Sequence, residues 1–234
     1  MATWITHMMI ADMLQQDLQL DPIGFCVGNV APDCNVENED WTAFTPPREV
    51  THWMGGSSKL SADFEGFYGK YIQGKRFTSY EHEAFLWGYY SHLITDVEFQ
   101  RFVRDEQRVQ RSFDRIMENP TMRDKLCGLA RTFDTLKQVF GKDRIFRDVA
   151  IVEKAYLEMT PESGYYTVLC QIKQFPDYLD FFPAGAISRK IGIMTQLPRV
   201  DANEELMFFT KEEVQNFVNE TGRLICRSIK NKVR

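Results

Sequence analysis

A chain of 234 residues that is 44% hydrophobic and 26% charged has the balance of a globular protein, not of a disordered or collagen-like one. Its 28 Lys and Arg against 33 Asp and Glu give a net charge of −5. No apolar run reaches the roughly 18 residues of a membrane-spanning helix, so no stable membrane insertion is expected.

From the start of the chain, Trp4, Met8, Ala11, Leu14 and Leu18 recur at spacings of three and four, which predicts an amphipathic helix over 3–18. The same stretch, MATWITHMMIADML, has no basic residue ahead of its apolar positions. It reads as mature structure rather than a secretion signal, and the expected location is the cytoplasm. Five cysteines (Cys26, Cys34, Cys127, Cys170, Cys226) without CxxC spacing agree with reduced thiols. Beyond Pro22, the small-residue run 23–31 predicts a short buried helix, and 33–60 reads as loop, broken by Pro46-Pro47 and Gly55-Gly56. Helical patterns return over 61–73 and from Ser79 to about Asn119, with a break expected past Asp96 because forty residues is long for one globular helix. Further helices are predicted over 121–140, 143–159 and 210–231, the last opened by Thr210 and Glu213 in a capping-box pattern. Tyr165–Ile172 fits a strand or a short helix, and Phe181-Phe182-Pro183 marks a turn. With no repeat and no low-complexity linker, the expectation is one all-α multi-helix domain over 1–234.

Charge is uneven along this chain. The first fifty residues carry eight acids (Asp12, Asp17, Asp21, Asp33, Glu37, Glu39, Asp40, Glu49) and one base, Arg48, which argues against nucleic acid as a partner. Arg223, Arg227, Lys230, Lys232 and Arg234 close the chain as cations suited to the negative end of a helix dipole. Arg101, Arg104, Arg108, Arg111 and Arg115 fall on one face of a continuous helix, either as a docking stripe for an anion or as a solvated face matched by Glu98 and Asp105.

Chemistry concentrates in the histidines. His92 and Asp96, four apart in GYYSHLITD, stack on one helix face, where a single cation takes a ring nitrogen and a carboxylate oxygen together. His7 shares a face with Ile10, Ala11 and Leu14 and points inward. Asp33 stands at an element terminus after GNVAP, placed but not shielded, and His52 follows a Pro-Pro break in VTHWM. Taken singly, each is an ordinary core histidine, helix-surface pair or turn former. Together they make the imidazole and carboxylate set that Zn²⁺ takes. His82, ten residues before His92, lies about 15 Å along the helix axis and reads as a surface residue of a helix N-terminus.

The succession TH..IA, GNVAPD, THW and GYYSHLITD, over roughly residues 3–100, resembles the zinc-dependent phospholipase C family. The resemblance implies an all-α fold that holds zinc between helices for phosphodiester hydrolysis. It places Asp33, His52, His92 and Asp96 in one metal site and His7 at a second, with Asp96 bridging. No histidine follows His92, so the family's downstream His, His and Glu ligands have no counterpart. The expected activity is a metal-dependent phosphodiester hydrolase acting on a phosphodiester or phospholipid-type small substrate, with one zinc ion and a second site, and with Asp33 orienting the attacking water. The rival readings are a non-catalytic metal-binding helical domain and a nuclease of the same fold.

Overall fold

Helix starts in this chain carry their own stop and start signals. The computed structural model describes residues 2–40, 42–197, 200 and 205–233. Helix α1 (Trp4–Asp17) begins behind Thr3, whose hydroxyl accepts the Thr6 N–H. Asp21 caps α2 (Pro22–Gly28) with Pro22 in its first turn, where a missing N–H costs nothing. A 3₁₀ turn, Ala31–Asp33, follows, then two two-residue strands, β1 (Val36–Glu37) and β2 (Phe44–Thr45), paired antiparallel. These are the only named strands among the described residues, and the architecture is all-α and multi-helical. The short helix α3 (Arg48–Thr51) and the 3₁₀ turn Lys59–Ser61 interrupt the expected loop, and α4 (Phe64–Tyr71) matches the pattern over 61–73.

The long helical stretch breaks at Asp105. Helix α5 (Tyr80–Arg104) ends there, and the Asp105 carboxylate accepts the Arg108 N–H to start α6 (Glu106–Glu118). That break dissolves the arginine stripe. Arg108 is only 2% exposed, and it donates to the carbonyls of Phe102, Val103 and Phe208 with its guanidinium 4.4 Å from the Phe209 ring. It thus satisfies the end of α5 from within the core. Arg101 pairs with Glu98, while Arg111 and Arg115 pair with Glu213, so neither a free docking stripe nor a purely solvated face exists.

The pattern over 121–140 resolves into α7 (Pro120–Leu126) and α8 (Phe133–Phe140), parted near Gly128 at φ 76°. Helix α9 (Lys142–Met159) agrees with expectation. Tyr165–Leu169 is a single π-helical turn, neither strand nor ordinary helix, and α10 (Ala186–Met194) has no counterpart in the sequence reading. Helix α11 (Lys211–Val233) opens with the reciprocal Thr210–Glu213 bonds of a capping box and ends with Lys230 and Lys232 in its last turn. Arg234 lies outside the described residues. No helix among the described residues is long and apolar enough to cross a membrane.

Helix α2 lies against α5 and α11 against α1 and α5. The first pair approach at glycines: a Cβ on Gly28 would collide with the Phe85 carbonyl oxygen, and one on Gly88 with that of Phe25. Backbone therefore meets backbone, and Asn29, one residue past α2, is brought against the middle of α5.

Candidate metal centre

Five sequence-predicted residues converge in the core. His7, His52, His92 and Asp96 are at most 1% exposed and Asp33 is 7% exposed, so the expectation that Asp33 would be unshielded does not hold. The 3₁₀ turn Ala31–Asp33 tucks its terminal carboxylate under α1, where Asp33 Oδ2 accepts the Trp4 indole N–H at 3.1 Å.

Two of the rings are held by backbone carbonyls. His92 Nδ1 lies 2.8 Å from the Asn29 carbonyl oxygen, so the close approach of α2 and α5 orients this ring. His52 Nδ1 lies 3.1 Å from the Arg48 carbonyl oxygen and 2.9 Å from the Thr51 hydroxyl, the geometry of an imidazole at the end of a short helix. With Nδ1–H donated in each case, the Nε2 lone pair faces inward, the arrangement that outer partners impose on metal-binding histidines. His7 stacks on His92 with ring centroids 3.9 Å apart and planes within 3°.

The inward atoms are spaced like ligands. His52 Nε2 is 3.1 Å from Asp33 Oδ1 and 3.5 Å from Asp96 Oδ2, and His92 Nε2 is 3.3 Å from that same Asp96 oxygen. Tetrahedral bonds of 2.0–2.1 Å set neighbouring ligand atoms about 3.3–3.4 Å apart. His7 Nε2 stands 3.9 Å from Asp96 Oδ1. Two groups of three, His7–His92–Asp96 and Asp33–His52–His92, each have ligand atoms within 4.8 Å of one another and could hold a metal ion. Both His7 ring nitrogens and His92 Nε2 are buried without a hydrogen-bond partner. Orphaned polar atoms of this kind cost free energy unless something binds them, and a cation would take one lone pair from each of the two imidazoles.

Electrostatics favour the ligand-ready forms. Burial lowers the pKa of His7 well below its ordinary value, with His92 pushing the same way, and burial followed by Lys59 lowers that of His52. Burial alone would raise the two carboxyls, but the Lys59 ammonium and the facing imidazoles hold Asp33 and Asp96 below the usual carboxylate range. Neutral imidazoles and ionised carboxylates are the states that metals require.

Three neighbours carry no sequence signal. Lys59 reaches in from the turn Lys59–Ser61 to contact Asp96, with Asp33 Oδ1 3.9 Å away. The Ala2 backbone N–H donates to Asp96 Oδ1 at 3.2 Å, so the start of the chain forms one wall. Behind α1, the buried Glu153 carboxylate accepts from the Thr3 and Thr6 hydroxyls, and burial raises its pKa to about 7. A lysine in SSKLS is indistinguishable from any surface lysine until the turn is folded. His82 stays apart, stacked on Tyr178 at 4.3 Å in the first turn of α5, as its spacing predicted.

Compared with family models, with curated proteins and with solved structures, the chain matches none.

Proposed function

We propose that the protein is a zinc-dependent phosphodiester hydrolase. The observation that carries this reading is His52 Nε2 at 3.1 Å from Asp33 Oδ1 and 3.5 Å from Asp96 Oδ2, with His92 Nε2 3.3 Å from that Asp96 oxygen and His7 beside them. Two imidazoles with two carboxylates suit Zn²⁺ better than the all-oxygen cages of Ca²⁺ or Mg²⁺. The resemblance over residues 3–100 supports the same chemistry and assigns His7 to a second ion, with Asp96 between the two.

A zinc ion here supplies Lewis-acid polarisation of a phosphoryl oxygen and of a water molecule. The protein's own groups do the rest. Asp33, kept ionised by Lys59 and anchored by the Trp4 indole, orients the attacking water and takes up its proton at a carboxylate oxygen. The water oxygen bonds to phosphorus as one ester P–O bond breaks, and the proton that Asp33 took from the water is passed on to the departing alkoxide, which leaves as the alcohol. Lys59 offsets negative charge that builds on the non-bridging oxygens.

Near-complete burial of the ligands favours a second reading, a closed metal site that only braces the helices. One experiment separates the two. Protein purified without added zinc is analysed for metal, then assayed on a soluble phosphodiester with zinc supplied, beside Asp33→Asn. The hydrolase reading expects at least one metal per chain and turnover that falls at least about a hundredfold in Asp33→Asn, in the range of general-base loss. Metal without turnover establishes the bracing role, and no metal with no rise in melting temperature on adding zinc defeats both.

A further inference from the structure

Lys59 belongs to two places at once. Its ammonium contacts Asp96 in the metal centre, and its stem lines a surface cleft of about 530 Å³ between α3, the end of α5 and the α8–α9 corner. That cleft is also lined by Arg48, Arg104, Lys137 and Lys142, against a single carboxylate, Glu49. Arg104 pairs with Asp134 at 3.4 Å and Lys59 with the metal-centre carboxylates. Lys137, Lys142 and Arg48 form no ion pair among the described residues, although Arg48 lies over the Phe44 ring at 4.3 Å. In a protein of net charge −5, unmatched cations gathered in one concavity focus a positive potential there. Phe133 and Phe146 line the same walls and lower the local dielectric, which strengthens any charge-assisted hydrogen bond made inside.

We propose that this cleft is an anion subsite for a second phosphate, so that the substrate is a small phosphodiester carrying a further phosphate group rather than a zwitterionic or singly charged one. This rests on the hydrolase reading for the reacting diester, but the subsite itself does not depend on the metal. Lys59 stands at the junction, with the diester on its inner side and the second phosphate in the cleft, where Lys137 and Lys142 each donate to the phosphate oxygens and Arg48 adds charge at the rim. Apart from Lys59, the cations of the cleft do not touch the metal centre, so they select the substrate without taking part in the chemistry.

The test is a matched pair of probes, fructose 6-phosphate and fructose 1,6-bisphosphate, titrated by calorimetry into the protein as purified. Metal content is measured on the same sample. The bisphosphate is expected to bind at least about tenfold tighter, the effect of one net charge-assisted contact, and its affinity to fall faster with added salt. The exposed double substitution Lys137→Gln with Lys142→Gln should abolish the preference while leaving melting temperature and metal content unchanged. Equal affinity for both probes overturns the subsite, as does a preference that survives the double substitution. A sample free of metal, with no rise in melting temperature on adding zinc, that still prefers the bisphosphate would defeat the hydrolase reading and leave the subsite standing.

Discussion

His92 holds the centre because one ring nitrogen is committed to the Asn29 carbonyl and the other is left free among carboxylates. On the proposed reading His92→Ala should therefore strip most of the metal, whereas His82→Ala should match wild type by elemental analysis, since His82 packs on Phe77 and Tyr178 and bonds Thr78, away from the centre. Glu153 offers a second single-residue test. Its pKa in the fold is raised from 4.5 to about 7 by burial, so between those values the folded state keeps a proton that the unfolded chain has released. Stability then falls as pH rises through that window and levels off above it. Glu153→Gln, which still offers an oxygen to Thr3 and Thr6, should gain about 3 kcal/mol over wild type at pH 8 and almost nothing at pH 4.5. Thermal melts should show a gain of roughly 6–12 °C at the higher pH only. Among these residues, His7, His92 and Asp96 were legible because an i,i+4 pair and an inward-facing helix position follow from spacing, while Asp33 and His52 were assigned to one site only by the family resemblance. Glu153 and Lys59 were not, since each is made important by a partner more than thirty residues away.

The contact between α2 and α5 depends on having no side chain at Gly28 and Gly88. Gly88→Ala forces a methyl into the Phe25 carbonyl, and overpacking of this kind costs about 1–3 kcal/mol. It should also weaken metal binding, because parting the two helices draws the Asn29 oxygen away from His92. Denaturation and zinc titration on the same variant check both effects. An alanine at Gly69, where nothing lies within 4 Å, should leave metal affinity unchanged. The sequence shows α1, α4 and α11 clearly, because each pairs a periodic apolar stripe with a capping residue; α2 shows by Pro22 and its small-residue run, and α9 by its apolar stripe alone, since Gly141 offers no side-chain cap. It hides the place of the break expected past Asp96, which falls at Asp105, where the apolar pattern continues while one aspartate ends one helix and caps the next. It hides α10 as well, which opens behind Gly185 without a side-chain cap.

At the scale of the whole molecule, all five candidate ligands lie within the first 96 residues, while α9 and α11 buttress them from behind. The arginines that the sequence set on one stripe are accounted for, as Arg101, Arg111 and Arg115 each pair with a carboxylate and Arg108 is buried. With that stripe matched and a net charge of −5, the pull toward an anionic surface is weak, so on the proposed hydrolase reading turnover should run faster on a soluble phosphodiester than on packed phospholipid vesicles, assayed side by side with zinc. Faster turnover on vesicles would contradict that charge argument.

Trp4 gives this molecule a built-in optical gauge. Its indole N–H is bonded to Asp33, so any change in the electron density of that carboxylate is felt by a chromophore in direct contact with it. Filling or emptying the centre should shift the protein's emission, and the shift should vanish in Trp4→Phe although three other tryptophans remain. Because the neighbouring Ala2 N–H is held by Asp96, chelation should also release the first turn to proteases that the loaded protein resists. The start of the chain thus reports, in light and in cleavage, on the state of a centre that solvent scarcely reaches.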